Sequence, residues 1–386
     1  MRPFDASGKR ASARLAFGVG LCGLIALGAG CGSETRTVPA TQTAAGPIVF
    51  NGENNRLNAY DPADGFRKQT VIHSHADDPV NGRDINGQIC FTRDGTRRFI
   101  AGEDTNQPNP PQGWGWFQLH GDHVGNLSAT QIGKLTPTYQ SSPDNAENYG
   151  CGFLSDGRLL TTDVGDQASG GGNGQLILWF PPFDGFGAHH YCKLDITIGT
   201  ANGIYIDAMD HIYVGSARVT PAIYRYSPPF PTSDTAAGGC GLQDSSGAPL
   251  ADQIQKATFI AADAHVRTPN AIIGTARGTF YVTSVLNGVI AEYGADGKFI
   301  RRILQPPTGE TLGPTPFSTG TPLGIGIDAS GTVYFADIGL VANGLDIGPG
   351  DHTGTVRRIR FENGTALPPE TMDSGLAFPD GIGVLE

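Results

Sequence analysis

From about residue 46 onward, apolar and polar positions alternate with a period of two, in short runs broken by turn residues. Such a rhythm predicts strands that pack on their faces rather than amphipathic helices. The runs also repeat a longer phrase. DINGQICFTRDGTRRFIAGED (84–104), NYGCGFLSDGRLLTTDVGD (148–166), ANGIYIDAMDHIYVGSA (201–217), TPNAIIGTARGTFYVTS (268–284), TPLGIGIDASGTVYFADIG (321–339) and FPDGIGVLE (378–386) share one layout. A small or Asn turn leads into a strand, then a tight turn, then a second strand with a polar end. The tight turns carry Asp94-Gly95, Asp156-Gly157, Arg277-Gly278 and Ser330-Gly331, and the third copy has His211 after Asp210. Most copies run on into a third strand, as in GQLILWFPP, PAIYRYSPP and TGTVRRIRFENG.

The anchor at the head of each copy is Asn86, Asn148, Asn202, Asn270, Leu323 or Asp380. Anchors recur about every 53 to 68 residues, the length of a four-stranded blade with its loops. This predicts an all-β fold, a six-bladed β-propeller over residues 46–386. The last copy holds one strand only, while GPIVFNGENNRLNAYDPADGFRKQTVIHS (46–74) supplies second, third and fourth strands without a first. The C-terminal strand is therefore expected to join the N-terminal three and close the ring. Closure removes the open sheet edge that invites association, and a monomer is expected.

Composition agrees. Glycine at 56 and proline at 27 suit many short strands joined by turns, and 39% hydrophobic content excludes a disordered chain. Residues 1–30 stand apart. Arg2, Lys9, Arg10 and Arg14 precede the apolar run LAFGVGLCGLIALGAG, which reads as a signal peptide too short and glycine-rich to span a membrane. LGAGC resembles a bacterial lipobox, which would make Cys31 a lipidated mature N-terminus and residues 31–45 a flexible tether. Simple secretion is the alternative. Either route places the protein outside the cytoplasm, in the bacterial envelope if anchored, and touching the membrane only through the lipid. The net charge of −11 argues against a nucleic-acid partner. Of six cysteines, Cys90, Cys151, Cys192 and Cys240 remain after the signal and Cys31 are set aside. Cys90 and Cys151 sit in innermost strands of adjacent repeats, so Cys90–Cys151 and Cys192–Cys240 bridges are expected. Buried free thiols are the other possibility.

The order P-[ND]-G, apolar strand, D-x-x-G, YV strand and basic-aromatic strand resembles two groups of propellers over nearly all of residues 46–386. One is the senescence marker protein/gluconolactonase/luciferin-regenerating enzyme family; the other comprises NHL-repeat and strictosidine-synthase-like propellers. The first resemblance implies that side chains at the starts of innermost strands converge on the central channel and hold a divalent metal, typically calcium. Here those positions offer Asp380, Asn270 and Asn202 as metal ligands, with Asn86 and Asn148 beside a substrate. Oxygen donors of this kind suit a hard cation, although Asn and Asp also serve simply as turn formers.

Second-strand ends are expected on the same face. Glu103 and Asp163 there are candidates for a general base acting with the metal, and Asp337 for substrate binding. His352 is expected near the channel mouth. The loops 104–114, 166–174 and 338–354 should wall the pocket, and Trp114 and Trp116 would line it or lie buried in outer strands. Two functions are compatible with this pattern. One is a calcium-dependent hydrolase of a lactone, ester or related small molecule. The other is a non-catalytic module binding a carbohydrate, peptide or envelope partner.

Overall fold

The computed structural model describes residues 46–103, 113–136, 148–165 and 173–386. The expected signal peptide, Cys31 and the expected tether lie outside the described residues, as do Asp104, Asp166 and most of the loops 104–114 and 166–174. The rest is a six-bladed β-propeller of four-stranded antiparallel blades. Blade I joins Ile382–Leu385 to Ile48–Glu53, Arg56–Asp61 and Arg67–Ile72. The closing strand is paired through Ile48 with Leu385 and Asn51 with Ile382. The inner strands of the other blades are Ile85–Phe91 (II), Asn148–Phe153 (III), Ala201–Ile206 (IV), Pro269–Gly274 (V) and Pro322–Ile327 (VI). Each touches the next in cyclic order, and the ring is complete.

The alternation works in both directions because every blade is sandwiched. In blade III, Leu159 and Trp179 pack toward blade II, while their neighbours Leu160 and Leu178 pack toward blade IV. Six such apolar layers fill the six gaps between blades. Each fully buried large side chain contributes on the order of 2–3 kcal/mol, so the ring is held by its seams. Trp114 and Trp116 belong to one of them, with Trp116 Nε1 donating to Asp184.

Near the axis the inner strands crowd, and small residues allow it. Gly150, Gly203, Ala271, Gly324 and Gly381 stand at equivalent places in five blades, each one residue before the regular pairing of its inner strand. A Cβ on Gly381 would lie 1.7 Å from the Gly87 carbonyl oxygen, and one on Gly324 2.2 Å from that of Asp380. Blade II breaks the pattern with one extra residue, the positive-φ Gly87, and puts Gln88 in the small position. The Gln88 side chain reaches across the channel. Its amide donates to Ile204 O, and its oxygen accepts from Cys151 N and Ile204 N. Inner-edge backbone groups of blades III and IV are thereby satisfied from blade II, and the channel is plugged below the anchors.

Both expected bridges form, Cys90–Cys151 between adjacent inner strands and Cys192–Cys240 between blade III and an insertion in blade IV. That insertion adds Leu242–Gln243 and Pro249–Leu250 to the outer edge of blade III, so its sheet has six strands. Among the described residues no helix is long and apolar enough to cross a membrane.

Candidate functional site

The anchors meet. Asn86, Asn148, Asn202, Asn270, Leu323 and Asp380 all line one cavity of about 510 Å³, within the range of small-molecule sites. The sequence expectation needs one correction. Counted back from the inner-strand residue whose pairing is regular, the equivalent positions are Tyr149, Asn202, Asn270, Leu323 and Asp380, with Gly87 in blade II. Asn148 and Asn86 sit one place earlier. The tyrosine, not the preceding asparagine, is the member contributed by blade III, and the sequence hid it behind a neighbouring amide.

Tyr149 closes the floor. Its hydroxyl donates to Asp380 O at 3.3 Å and accepts from Asn270 Nδ2 at 3.3 Å, linking blades III, I and V across the axis. Burial, and after it the Asp380 carboxylate, push its pKa well above the ordinary phenol value, so it stays a neutral O–H. Asp380 accepts from the main-chain N–H of Gly381 at 2.6 Å and of Gly87 at 2.7 Å, which fixes its carboxylate on the floor. Asn270 also donates to Leu323 O, and Asn202 to Thr200 O. On the wall, Asn148 Nδ2 donates to Gly113 O, while Asn148 Oδ1 and Thr200 Oγ1 are buried with no partner among the described residues.

The walls differ in character. Val285, Leu286, Leu323, Ile338 and Leu340 from blades V and VI form a separate small apolar cluster that lines one side. Blades III and IV supply Asn148, Thr200, Asn202 and Arg218, and blade I supplies Glu53. The 338–354 segment does wall the cavity: it folds into a hairpin, Leu340–Asn343 against Asp346–Pro349, whose Leu340, Ile347 and Pro349 face it. Arg218 is exposed, and among the described residues its guanidinium makes no hydrogen bond or ion pair.

Other expected site residues lie elsewhere. Glu103, Asp163 and Asp337 do occupy equivalent second-strand ends, paired with Ile85, Asn148 and Pro322. None lines the cavity. Glu103 is buried against Lys134 and Gln131, Asp163 accepts from Gly165 N, and Asp337 is enclosed by Thr321, Thr355, Gly339 N and Arg357. These carboxylates are turned along their own sheets, where they brace loops. The sixth equivalent, Glu53, is the one that reaches the cavity, and it also accepts from Asn58. His352 is exposed in a turn beside Asp351, outside the lining.

The residues suggested for a metal, Asp380, Asn270 and Asn202, line the cavity together, with one carboxylate and two amide oxygens among them. Among the described residues no group of three or more His, Cys, Asp or Glu side chains is placed to hold an ion. Asp380, Asn270 and Asn202 bring a single negative charge, and the Asp380 oxygens already accept two main-chain N–H groups. A calcium ion takes six to eight oxygens from carboxylates, amide and main-chain carbonyls and water, of which these three side chains would supply only a part.

Neither a family model nor a curated protein matches the chain. Solved structures do. A protein of unknown function from Bacteroides caccae is 11% identical with a TM-score of 0.50, covering 88% of this chain and 99% of that one. A chain of a nidogen/laminin complex is 10% identical with a TM-score of 0.53, covering 88% and 98%. Luciferin-regenerating enzyme is 12% identical with a TM-score of 0.48, covering 87% and 99%. At such identities the likeness is one of fold.

Proposed function

We propose that this protein is an exported propeller that binds a small organic molecule in the channel cavity, without a resident metal and without hydrolysing it. The observation that supports this reading is the distribution of acids. The cavity holds a fixed Asp380 and a wall Glu53, whereas Glu103 and Asp163, the candidate bases, are outside it. A converging ring of amides, a neutral phenol and an apolar wall can orient a ligand, and both cavity carboxylates are already engaged, Asp380 by two main-chain N–H groups and Glu53 by Asn58. Two disulfides support a location outside the cytoplasm. Lipid attachment at Cys31 would tether the module to the envelope, and Cys31→Ser would release it from the membrane fraction.

The test is a thermal-melting screen of small metabolites against the wild type and Ala217→Trp, a substitution that fills the cavity from its wall. Ligands that raise the wild-type Tm are expected to leave the variant's Tm unmoved, and chelator is expected to change neither. Turnover of a lactone or aryl ester that Asp380→Asn abolishes would overturn the binding reading in favour of hydrolysis. A chelator-sensitive Tm restored by calcium would overturn the metal-free part.

A further inference from the structure

The two-sidedness of the cavity narrows what it accepts; this inference rests on the binding reading above. One wall is continuous apolar surface from blades V and VI, and it carries on outward to the mouth. Ile347 is 51% exposed and Phe378 44% exposed, and both line the cavity. Phe378 holds a φ of +58°, a left-handed conformation that bulky side chains rarely adopt. Strain of this kind persists only where the surroundings enforce it, and it gathers at binding sites. Here it sets an aromatic ring at the rim, between Ala377 and the tightly packed Pro379-Asp380 corner.

On blade IV, next to blade V in the ring, stands Arg218, whose guanidinium has no partner among the described residues. Among the described residues no carboxylate pairs with it, although the chain as a whole is acidic. The cavity's own acids, Glu53 and Asp380, belong to blade I and are held by Asn58 and by the two glycine N–H groups. An anionic group arriving at blade IV therefore meets a fork of donors suited to a carboxylate, at the opposite side from the fixed negative charges.

We propose that the cavity selects an amphipathic carboxylate: the carboxylate on Arg218, and a flexible or planar apolar body of several carbons along the Leu323, Leu340, Ile347 and Phe378 wall. A neutral sugar would leave that wall in contact with hydroxyls, and a purely apolar ligand would offer nothing to Arg218 or to the buried Asn148 and Thr200 oxygens, which have no partner among the described residues. A donor on the ligand, such as an amide N–H, would also have the orphaned Asn148 and Thr200 oxygens within the same wall.

The probes are acetylglycine, hexanoylglycine, decanoylglycine and hexanoylglycine methyl ester, titrated calorimetrically into the full mature chain. Affinity is expected to rise at least about tenfold from the acetyl to the hexanoyl acid, as each buried methylene adds to transfer. The methyl ester should bind about tenfold more weakly than its acid. Arg218→Gln, at an exposed position, should erase the difference between acid and ester while keeping the chain-length effect. Ile347→Asn, also exposed, should flatten the chain-length effect while keeping the acid preference. Equal binding of acid and ester, equal binding of short and long acids, or no binding at millimolar concentration would each overturn the proposal. If these acids bind equally well to Ala217→Trp, they lie outside the cavity, and it is the parent reading that fails.

Discussion

At the scale of single residues, the axis is governed by what glycine omits. Gly381 has no room for a methyl group, because the Gly87 carbonyl lies where its Cβ would be. Gly381→Ala must push two inner strands apart, one of them the strand that closes the ring. We expect a loss of roughly 3 kcal/mol by denaturant unfolding, with Gly187→Ala, at an open bend, as a comparison. A loss under about 1 kcal/mol would mean that the inner strands are less crowded than described. A second residue-scale test concerns Lys193 and Asp244, a buried ion pair. Burial alone would raise the Asp244 carboxyl. The Lys193 ammonium, the Ser246 hydroxyl and the N–H groups of Ala248 and Ser246 outweigh it and hold the group well below the usual carboxylate range. A depressed native pKa stabilises the fold above the unfolded value near 4 and loses that stabilisation as pH falls through and below it. Lys193→Met should cost about 3 kcal/mol at pH 7, by leaving a buried charge unpaired, and should flatten the stability decline below pH 4. An unchanged acid profile would contradict this account of the pair.

At the scale of elements, the blade IV insertion is an outer clamp. Its short strands extend blade III, Lys193 and Asp244 pin it, and Cys192–Cys240, 48 residues apart in sequence, ties its first half to blade III. Cys240→Ser removes that constraint from the unfolded state and should lower stability by about 2–4 kcal/mol. The inner strands and the cavity should remain, so ligand-induced Tm shifts should survive. Loss of the shift together with the disulfide would mean that the clamp shapes the site. The elements themselves were largely legible in the sequence, because alternation and turn residues are local signals. Strand order, the shared terminal blade and both disulfide partners follow from counting repeats. Side-chain direction was less legible. Asn148 looked like an anchor because it is an amide beside a strand, but the pairing of Cys151 with Thr161 shifts the role to Tyr149. Glu103 and Asp163 share a repeat position with Glu53, yet only Glu53 turns into the cavity. Position in a repeat fixes where a Cα lies, and the loops and lysines nearby decide where the carboxylate goes.

At the scale of the whole molecule, six sheets buried on both faces make a rigid ring, and the ring concentrates its variable chemistry at one mouth. The same architecture lets one blade differ without disturbing the rest. Gln88 plugs the channel from blade II, Tyr149 floors it from blade III, and Leu323 begins the apolar wall in blade VI. All three departures leave an inner strand in its place in the ring, which is why the fold could be read from the repeat while the character of the pocket could not. The most direct test of the account is a crystallographic fragment screen on the mature chain. The account predicts that bound fragments gather in the cavity between Tyr149, Asp380 and Arg218, with apolar portions toward Leu340 and Ile347. Fragments that collect elsewhere, over a channel mouth collapsed around these side chains, would contradict it.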